Sequence, residues 1–459
     1  MTASTTRLLR RPRLASFIAA TAIILAGSYG LALLRPSAAP PASVPGSGSD
    51  SGVSAPISPP GAAPDAGVGI DPSLERIDGA IATWSAKLEA NPNDFLSATN
   101  LAALLHGRGG LTLDLGDHER ALAATRTALG IEPSHAPARA LEASILFTLH
   151  DFAAAYDAAD RLVRDDPAQL GALATRFDAG LELGRVDASR ADLERLLAVG
   201  GPAILVREAR LASATGDPAL ALDKAQAARA AAIADESTDL GFYAYAEGEY
   251  ARLAGDASTA RAAYEAALAV RGTDLGARIG LARIDAFDGD VPAAIAGLRA
   301  ATGIAPQPES LALLGDLLAM AGDPGAPATY ETVRFIEQLG DIQSSTYDRV
   351  LLRFELDHDG ASEAVLDKAR ASLAARPDWT GHDTVAWALY RLGRFEEAAA
   401  EIEAARALGA DDARLRFHDG AIEIGRGNAA GGRASLTSAL ALGPALDPIE
   451  RAEADRLLD

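Results

Sequence analysis

Between Thr380 and Ala410 apolar residues recur at the spacing of one helix face, stop at a glycine, and recur again. Val385, Ala386, Trp387, Leu389, Tyr390 and Leu392 form the first run, Gly393 ends it, and Phe395, Ala398, Ile402 and Ala405 form the second. Such runs predict two helices, each with one apolar face, joined by a tight turn. The break recurs at Gly116, His150, Gly184, Gly216, Gly255, Gly289, Gly322, Gly360, Gly393 and Gly427, with spacings of 34, 34, 32, 39, 34, 33, 38, 33 and 34 residues. A second ladder, Pro92, Pro133, Pro167, Pro202, Pro306, Pro377 and Pro444, marks where one hairpin gives way to the next, because proline lacks an amide hydrogen and cannot continue a helix. A third mark is a small residue five places after the break, at Ala121, Ala155, Ser189, Ala221, Ala260, Ala294, Ala398 and Gly432, with Pro327 and Val365 as exceptions. It predicts that the two helices of each hairpin approach closely there.

This period and pattern resemble the tetratricopeptide repeat, a helix-turn-helix unit of about 34 residues, over residues 72–459. Leu436, Ala439 and Pro444 continue the pattern after the unit described above, and the stretch from Tyr330 onward is similar to the terminal part of exported bacterial tetratricopeptide proteins. The resemblance implies an all-α fold: a tetratricopeptide-type α-solenoid of about ten helix-turn-helix repeats, preceded by one transmembrane or signal helix and a disordered linker. Each hairpin cannot bury its apolar face alone, so neighbours stack around one core and the first helices line a concave surface. In such a unit the second, fifth, ninth and twelfth positions tend to face the groove. By that count Phe242, Tyr245, Glu249, Tyr347, Phe354, Asp383, Trp387, Tyr390, Arg414 and Phe417 point inward. The residue types leave a second reading open, since large apolar residues at helical spacing commonly pack between helices. An insertion, Gly107 to Leu115, is expected as a surface loop at the first turn, and overruns at Ala231 to Thr238 and Gln338 to Ser345 are expected to kink the superhelix.

Composition adds constraints. The chain has no cysteine, which excludes disulfides, thiolate nucleophiles and sulfur-bound zinc. Its net charge is −21, although the first 35 residues carry Arg7, Arg10, Arg11, Arg13 and Arg35 and no acid. The body is therefore strongly acidic and unsuited to phosphate backbones or anionic headgroups, so no nucleic acid is expected as a partner. Residues 1–13 form a basic cytoplasmic segment. Residues 14–34 carry no charge and are long enough to cross a hydrocarbon core of about 30 Å, as an anchor or a signal helix. Residues 35–71, rich in Pro, Ala, Ser and Gly, read as a disordered linker. By the positive-inside rule the repeat domain, residues 72–459, is expected outside the cytoplasm, held at the membrane through the N-terminal helix only, or secreted after cleavage near Ser37 to Ala39.

No phosphate-cradling loop, His-Glu-x-x-His, nucleophile elbow or calcium loop is present. Four histidines precede an aspartate: His150–Asp151, His358–Asp359, His382–Asp383 and His418–Asp419. Turn and capping chemistry accounts for such pairs, and Asp357–His358–Asp359 is the one local trio with metal-ligand character. No catalytic, cofactor-binding or metal residue is expected and no cofactor. The expected function is non-catalytic: a protein-protein interaction scaffold whose groove binds a peptide or partner helix, or else a structural spacer in a membrane-associated complex. Oligomeric state is left open.

Overall fold

The hairpin turns reuse one piece of local chemistry. At the end of one helix Gly216 takes φ of 76°, which turns the chain out of the helix. The next residue, Asp217, then serves both helices. Its amide donates back to the Ala212 carbonyl at 2.9 Å, and its carboxylate accepts from the Leu220 amide at 2.9 Å to open the following helix. Asp151, Asp256 and Asp290 repeat the arrangement. Nine of the ten expected break positions, His150 and the glycines from Gly184 to Gly427, have positive φ.

The computed structural model describes residues 72–237, 239–340 and 348–459. The expected N-terminal segment, membrane-spanning helix and linker lie outside the described residues, as does Tyr347. Among the described residues there are α-helices and no strand, and no helix is long and apolar enough to cross a membrane. After α1 (Pro72–Ala90) come ten hairpins. They are α2 (Phe95–Thr112) with α3 (Leu115–Ile131), α4 (Ala136–Thr148) with α5 (Phe152–Asp165), α6 (Leu170–Glu182) with α7 (Val186–Leu197), α8 (Pro202–Ala214) with α9 (Pro218–Ala234), and α10 (Leu240–Leu253) with α11 (Ala257–Val270). Then follow α12 (Leu275–Phe287) with α13 (Val291–Ile304), α14 (Pro308–Met320) with α15 (Ala326–Gly340), α16 (Asp348–Phe354) with α17 (Glu363–Ala375), α18 (Trp379–Arg391) with α19 (Phe395–Ala407), and α20 (Ala413–Gly425) with α21 (Ala429–Leu440). A π-helical turn, Glu355–Asp359, extends α16, and a short 3-10 turn, Gly443–Ala445, leads to α22 (Pro448–Leu458). Every proline of the second ladder falls at a helix boundary. Ala121, Ala155, Ala260, Ala294 and Ala398 are wholly buried, and Ser189 and Ala221 nearly so.

Two expectations need correction. Gly116 lies inside the first turn of α3; the break is at Leu113, with φ of 62°, and the Asp114 carboxylate accepts from the Gly116 amide at 2.9 Å. Nor is Gly107 to Leu115 a loop, because α2 runs through Thr112. Gly109 is there for packing: a β-carbon on it would come within 2.8 Å of the His118 ring. At the fourth unit the extra residues lengthen α9 through Ala234, and Glu236 adopts φ of 51°. Of the overrun from Gln338 to Ser345, residues 341–345 lie outside the described residues.

The array curls until its own later units close over it. Leu113, at the turn of the first hairpin, packs on the cluster of Leu275, Ile279 and Leu313 from the sixth and seventh hairpins. A β-carbon on Gly184, at the third turn, would lie 2.2 Å from the Pro377 carbonyl oxygen. Gly216, at the fourth, abuts Gly409 and Asp411, and Gly255, at the fifth, abuts Leu442. The register advances one hairpin at a time, so the turns of one superhelical round rest on the loops about five hairpins later. The Arg376 guanidinium lies 5.6 Å from the Phe152 ring and Arg451 lies 5.1 Å from Phe287 along the same seam.

Candidate functional site

First helices line the inside of the superhelix, and their inward positions carry charge. Asp178 and Glu182 of α6 meet Arg207 and Arg210 of α8: Arg207 reaches Asp178 at 2.7 Å, and Arg210 reaches Asp178 at 2.9 Å and Glu182 at 2.5 Å. Burial opposes ionisation of Glu182, yet Arg210 and the charges of His150 and Arg376 lower its pKa overall. Farther along, Arg283 of α12 bridges Glu309 of α14 at 2.7 Å and Asp447 at 2.8 Å, and Arg414 of α20 meets Glu450 of α22 at 2.6 Å. Partners from neighbouring first helices stand about one repeat apart in sequence, so the period of the fold reappears as a period of ion pairs.

Four guanidiniums converge where the two superhelical rounds meet. Arg252, Arg283, Arg353 and Arg414, with Glu309, Asp412 and Asp447, line a cavity of 120 Å³. Burial disfavours the Asp447 carboxylate, but Arg283 and Arg414 outweigh it and hold the group well below the usual carboxylate range. Arg252 is less well served. It donates to the Pro444 carbonyl at 3.3 Å and the Ala445 carbonyl at 3.5 Å, and its buried Nε has no hydrogen-bond partner. Arg353 also lines an adjoining cavity of 40 Å³ with Asp316, Asp357, His358 and Glu450. There burial pushes Asp316 up to about 7 despite a 2.8 Å hydrogen bond from the Tyr330 hydroxyl, while burial lowers the pKa of His358. Their 3.3 Å contact around neutral pH is thus chiefly a hydrogen bond and not an ion pair.

The residues expected to face an open groove divide into three groups. Arg414 and Phe354 reach the cavities, and Glu249 stands beside them, accepting from Arg252 at 3.1 Å and from the Tyr264 hydroxyl at 2.5 Å. Asp383, Trp387, Tyr390 and Phe417 come together, but as packing. Trp387 is 2% exposed, stacks on His418 with ring centroids 4.1 Å apart and on Tyr390 at 4.8 Å, and donates its indole N–H to Asp357 at 2.8 Å. Asp383 is buried against His418 at 2.7 Å. Phe242 and Tyr245 sit apart from these, buried in the hydrophobic clusters around Val206 and Tyr264 respectively. For Phe242, Tyr245, Asp383, Trp387 and Phe417 the groove-facing expectation is therefore corrected, since neighbouring helices of this chain cover them, whereas Phe354, also buried, lines the smaller cavity. The trio Asp357, His358 and Asp359 disperses, to Trp387, Asp316 and Arg334 in turn.

Arg252, Arg283, Arg353 and Asp447 stand outside the aromatic pattern from which the groove positions are counted. Opposite charges one repeat apart on successive first helices mark Arg283 through Glu309, whereas Asp447 and Arg252 meet partners far along the chain that no local spacing reveals.

No family model matches the chain, and no curated protein does. Solved structures with similar folds include the human IFIT1 dimer with PPP-AAAA, at 14% identity and a TM-score of 0.45 over 81% of this chain and 88% of that one. Yeast Tom70 aligns at 13% identity and 0.33 over 84% and 92%, and the P58(IPK) TPR domain at 12% and 0.28 over 84% and 94%.

Proposed function

We propose that this chain is a non-catalytic scaffold that holds a segment of another protein against the charged inner wall of its superhelix, outside the cytoplasm and tethered through residues 14–34. The observation that supports it is the row of acidic and basic side chains that successive first helices contribute, one hairpin after another, to a single inner surface. Such a row suits an extended or helical segment of matched charge, since complementary potentials steer encounter and fix register. The sealing of that surface by later hairpins favours a second reading, a structural spacer with no groove ligand. A photo-crosslinking residue at Glu249 or Arg353 of the full chain in its native envelope separates them. Recovery of one protein from both positions supports the scaffold, and crosslinks solely within the chain support the spacer. Location is tested separately: a C-terminal reporter that resists protease on intact cells, while a known external control is cut, would overturn the external placement.

A further inference from the structure

The segment Gly443–Asp459 is seated differently from the helices around it. Of α22 only Glu450 and Ala454 are buried, whereas α20 buries eight residues. Ala445 and Leu446, just ahead of α22, and Ala454 within it join the C-terminal hydrophobic core, while the polar side of the segment is held by charge: Asp447 to Arg283 at 2.8 Å, Glu450 to Arg414 at 2.6 Å, and the Pro444 and Ala445 carbonyls to Arg252. A carboxylate pair flanked by bare carbonyls is the pattern an arginine cluster reads in an acidic peptide.

The fit leaves capacity unused. Arg252 is paired with Glu249 at 3.1 Å, but its contacts to the segment are long and its buried Nε has no partner. Arg353 faces the same cavity, where its charge acts on Glu309 and Asp447 without a direct ion pair to either. The 120 Å³ between them has room for a carboxylate, or for a few waters at about 30 Å³ each.

The geometry points to an acidic-peptide site formed by Arg252, Arg283, Arg353 and Arg414, which Gly443–Asp459 occupies in cis as a plug. The partner is an acidic protein segment that supplies carboxylates where Asp447 and Glu450 now sit and one more at Arg353. The inference rests on the scaffold reading and names its ligand. A plugged site lowers the apparent affinity of an outside ligand by the fraction of molecules that are open.

The test uses the full chain and a fluorescein-labelled peptide of residues 443–459, which carries five carboxylate side chains against two arginines. Asp447→Asn removes the charge that engages Arg283 yet keeps an N-cap of equal quality for α22, so the fold is retained; thermal melting verifies this. The variant is expected to bind the peptide at least tenfold more tightly than the unaltered chain. Adding Arg414→Gln, which removes the partner of Glu450, should reverse at least tenfold of that affinity, and a peptide with its two lead carboxylates replaced by amides should bind at least tenfold more weakly. Equal binding by the unaltered chain and Asp447→Asn, or indifference to Arg414→Gln, would overturn the plug. Partner crosslinks from the inner wall without any peptide binding would also overturn it, and would leave the scaffold reading standing.

Discussion

The first and third hairpins contribute to the same seam through opposite solutions. At the first turn Leu113 adopts a left-handed φ of 62°, uncommon for a residue with a branched side chain, and spends that side chain on the apolar cluster of hairpins six and seven. At the third turn Gly184 has nearly the same φ, 66°, but backbone presses directly on backbone and no side chain fits. The repeat dictates a left-handed residue at both places. What stands across the seam decides whether it is glycine. A superhelix closed in this way holds its hairpins by stacking along the array and again by contact between rounds, which an open array lacks.

Glycine substitutions separate the two contributions. Gly393 has φ of 74° and nothing within 4 Å of an added β-carbon, so Gly393→Ala measures the dihedral cost alone, about 1 kcal/mol. Gly184→Ala adds a collision with the Pro377 carbonyl and is expected to cost about 2–4 kcal/mol, the excess being overpacking at the seam. Chemical denaturation of both variants checks this. Equal costs would mean that the rounds do not touch in solution.

Local rules made much of the architecture legible. The Gly and Pro ladders are punctuation for single helices, the small residues serve single hairpins, and all depend on contacts close in sequence. The seam was not legible, because it joins residues roughly 190 apart, as with Gly184 and Pro377 or Arg252 and Pro444. Closure also explains the candidate site. A groove-facing count assumes an open concave face, and once later hairpins cover that face, aromatics such as Trp387 become core while charges such as Arg414 line the central cavity. The first turn departs from the glycine ladder for a related reason: Leu113, not Gly116, holds the left-handed position there.

Acid should act oppositely on the first hairpin and on the seventh, which the first meets across the seam. In the first hairpin His106 and His118 share a 2.9 Å contact between their Nδ1 atoms, and both Nε2 atoms are buried without partners. Burial lowers His106 to about 3, helped by His118, and lowers His118 to about 4 against the pull of Asp117 and Asp114. Both folded values lie below the unfolded 6.5, so the unfolded state binds more protons and stability falls as pH drops from 6.5 toward 4. Around pH 5.5 the loss is about 2 kcal/mol for the pair. Asp316 in the seventh hairpin has the reverse sign: its folded pKa near 7 exceeds the unfolded 3.8, so its contribution is present at low pH and fades as pH rises through 7. Hydrogen exchange at pH 7 and 5.5, corrected for intrinsic rates, should show protection lost in α2 and α3 and kept in α14. Uniform loss along the array would show that the first and seventh hairpins do not respond separately.

The smallest effect is also the most specific to the first turn. Leu113→Gly removes a half-buried side chain, a loss of about 1 kcal/mol of apolar contact, and relieves a left-handed conformation that costs a non-glycine residue about 1–2 kcal/mol. The two nearly cancel, so the variant should melt within about 1 kcal/mol of the unaltered chain. Leu113→Ala loses most of the same contact but keeps the β-carbon, and with it the strain. Alanine is therefore expected to be less stable than glycine here, the reverse of the order inside a helix, where glycine is worse by about 1 kcal/mol. The measurement is a pair of denaturation midpoints. If alanine equals or exceeds glycine, Leu113 is not held in the left-handed region, and the seam does not explain why this turn departs from the glycine ladder.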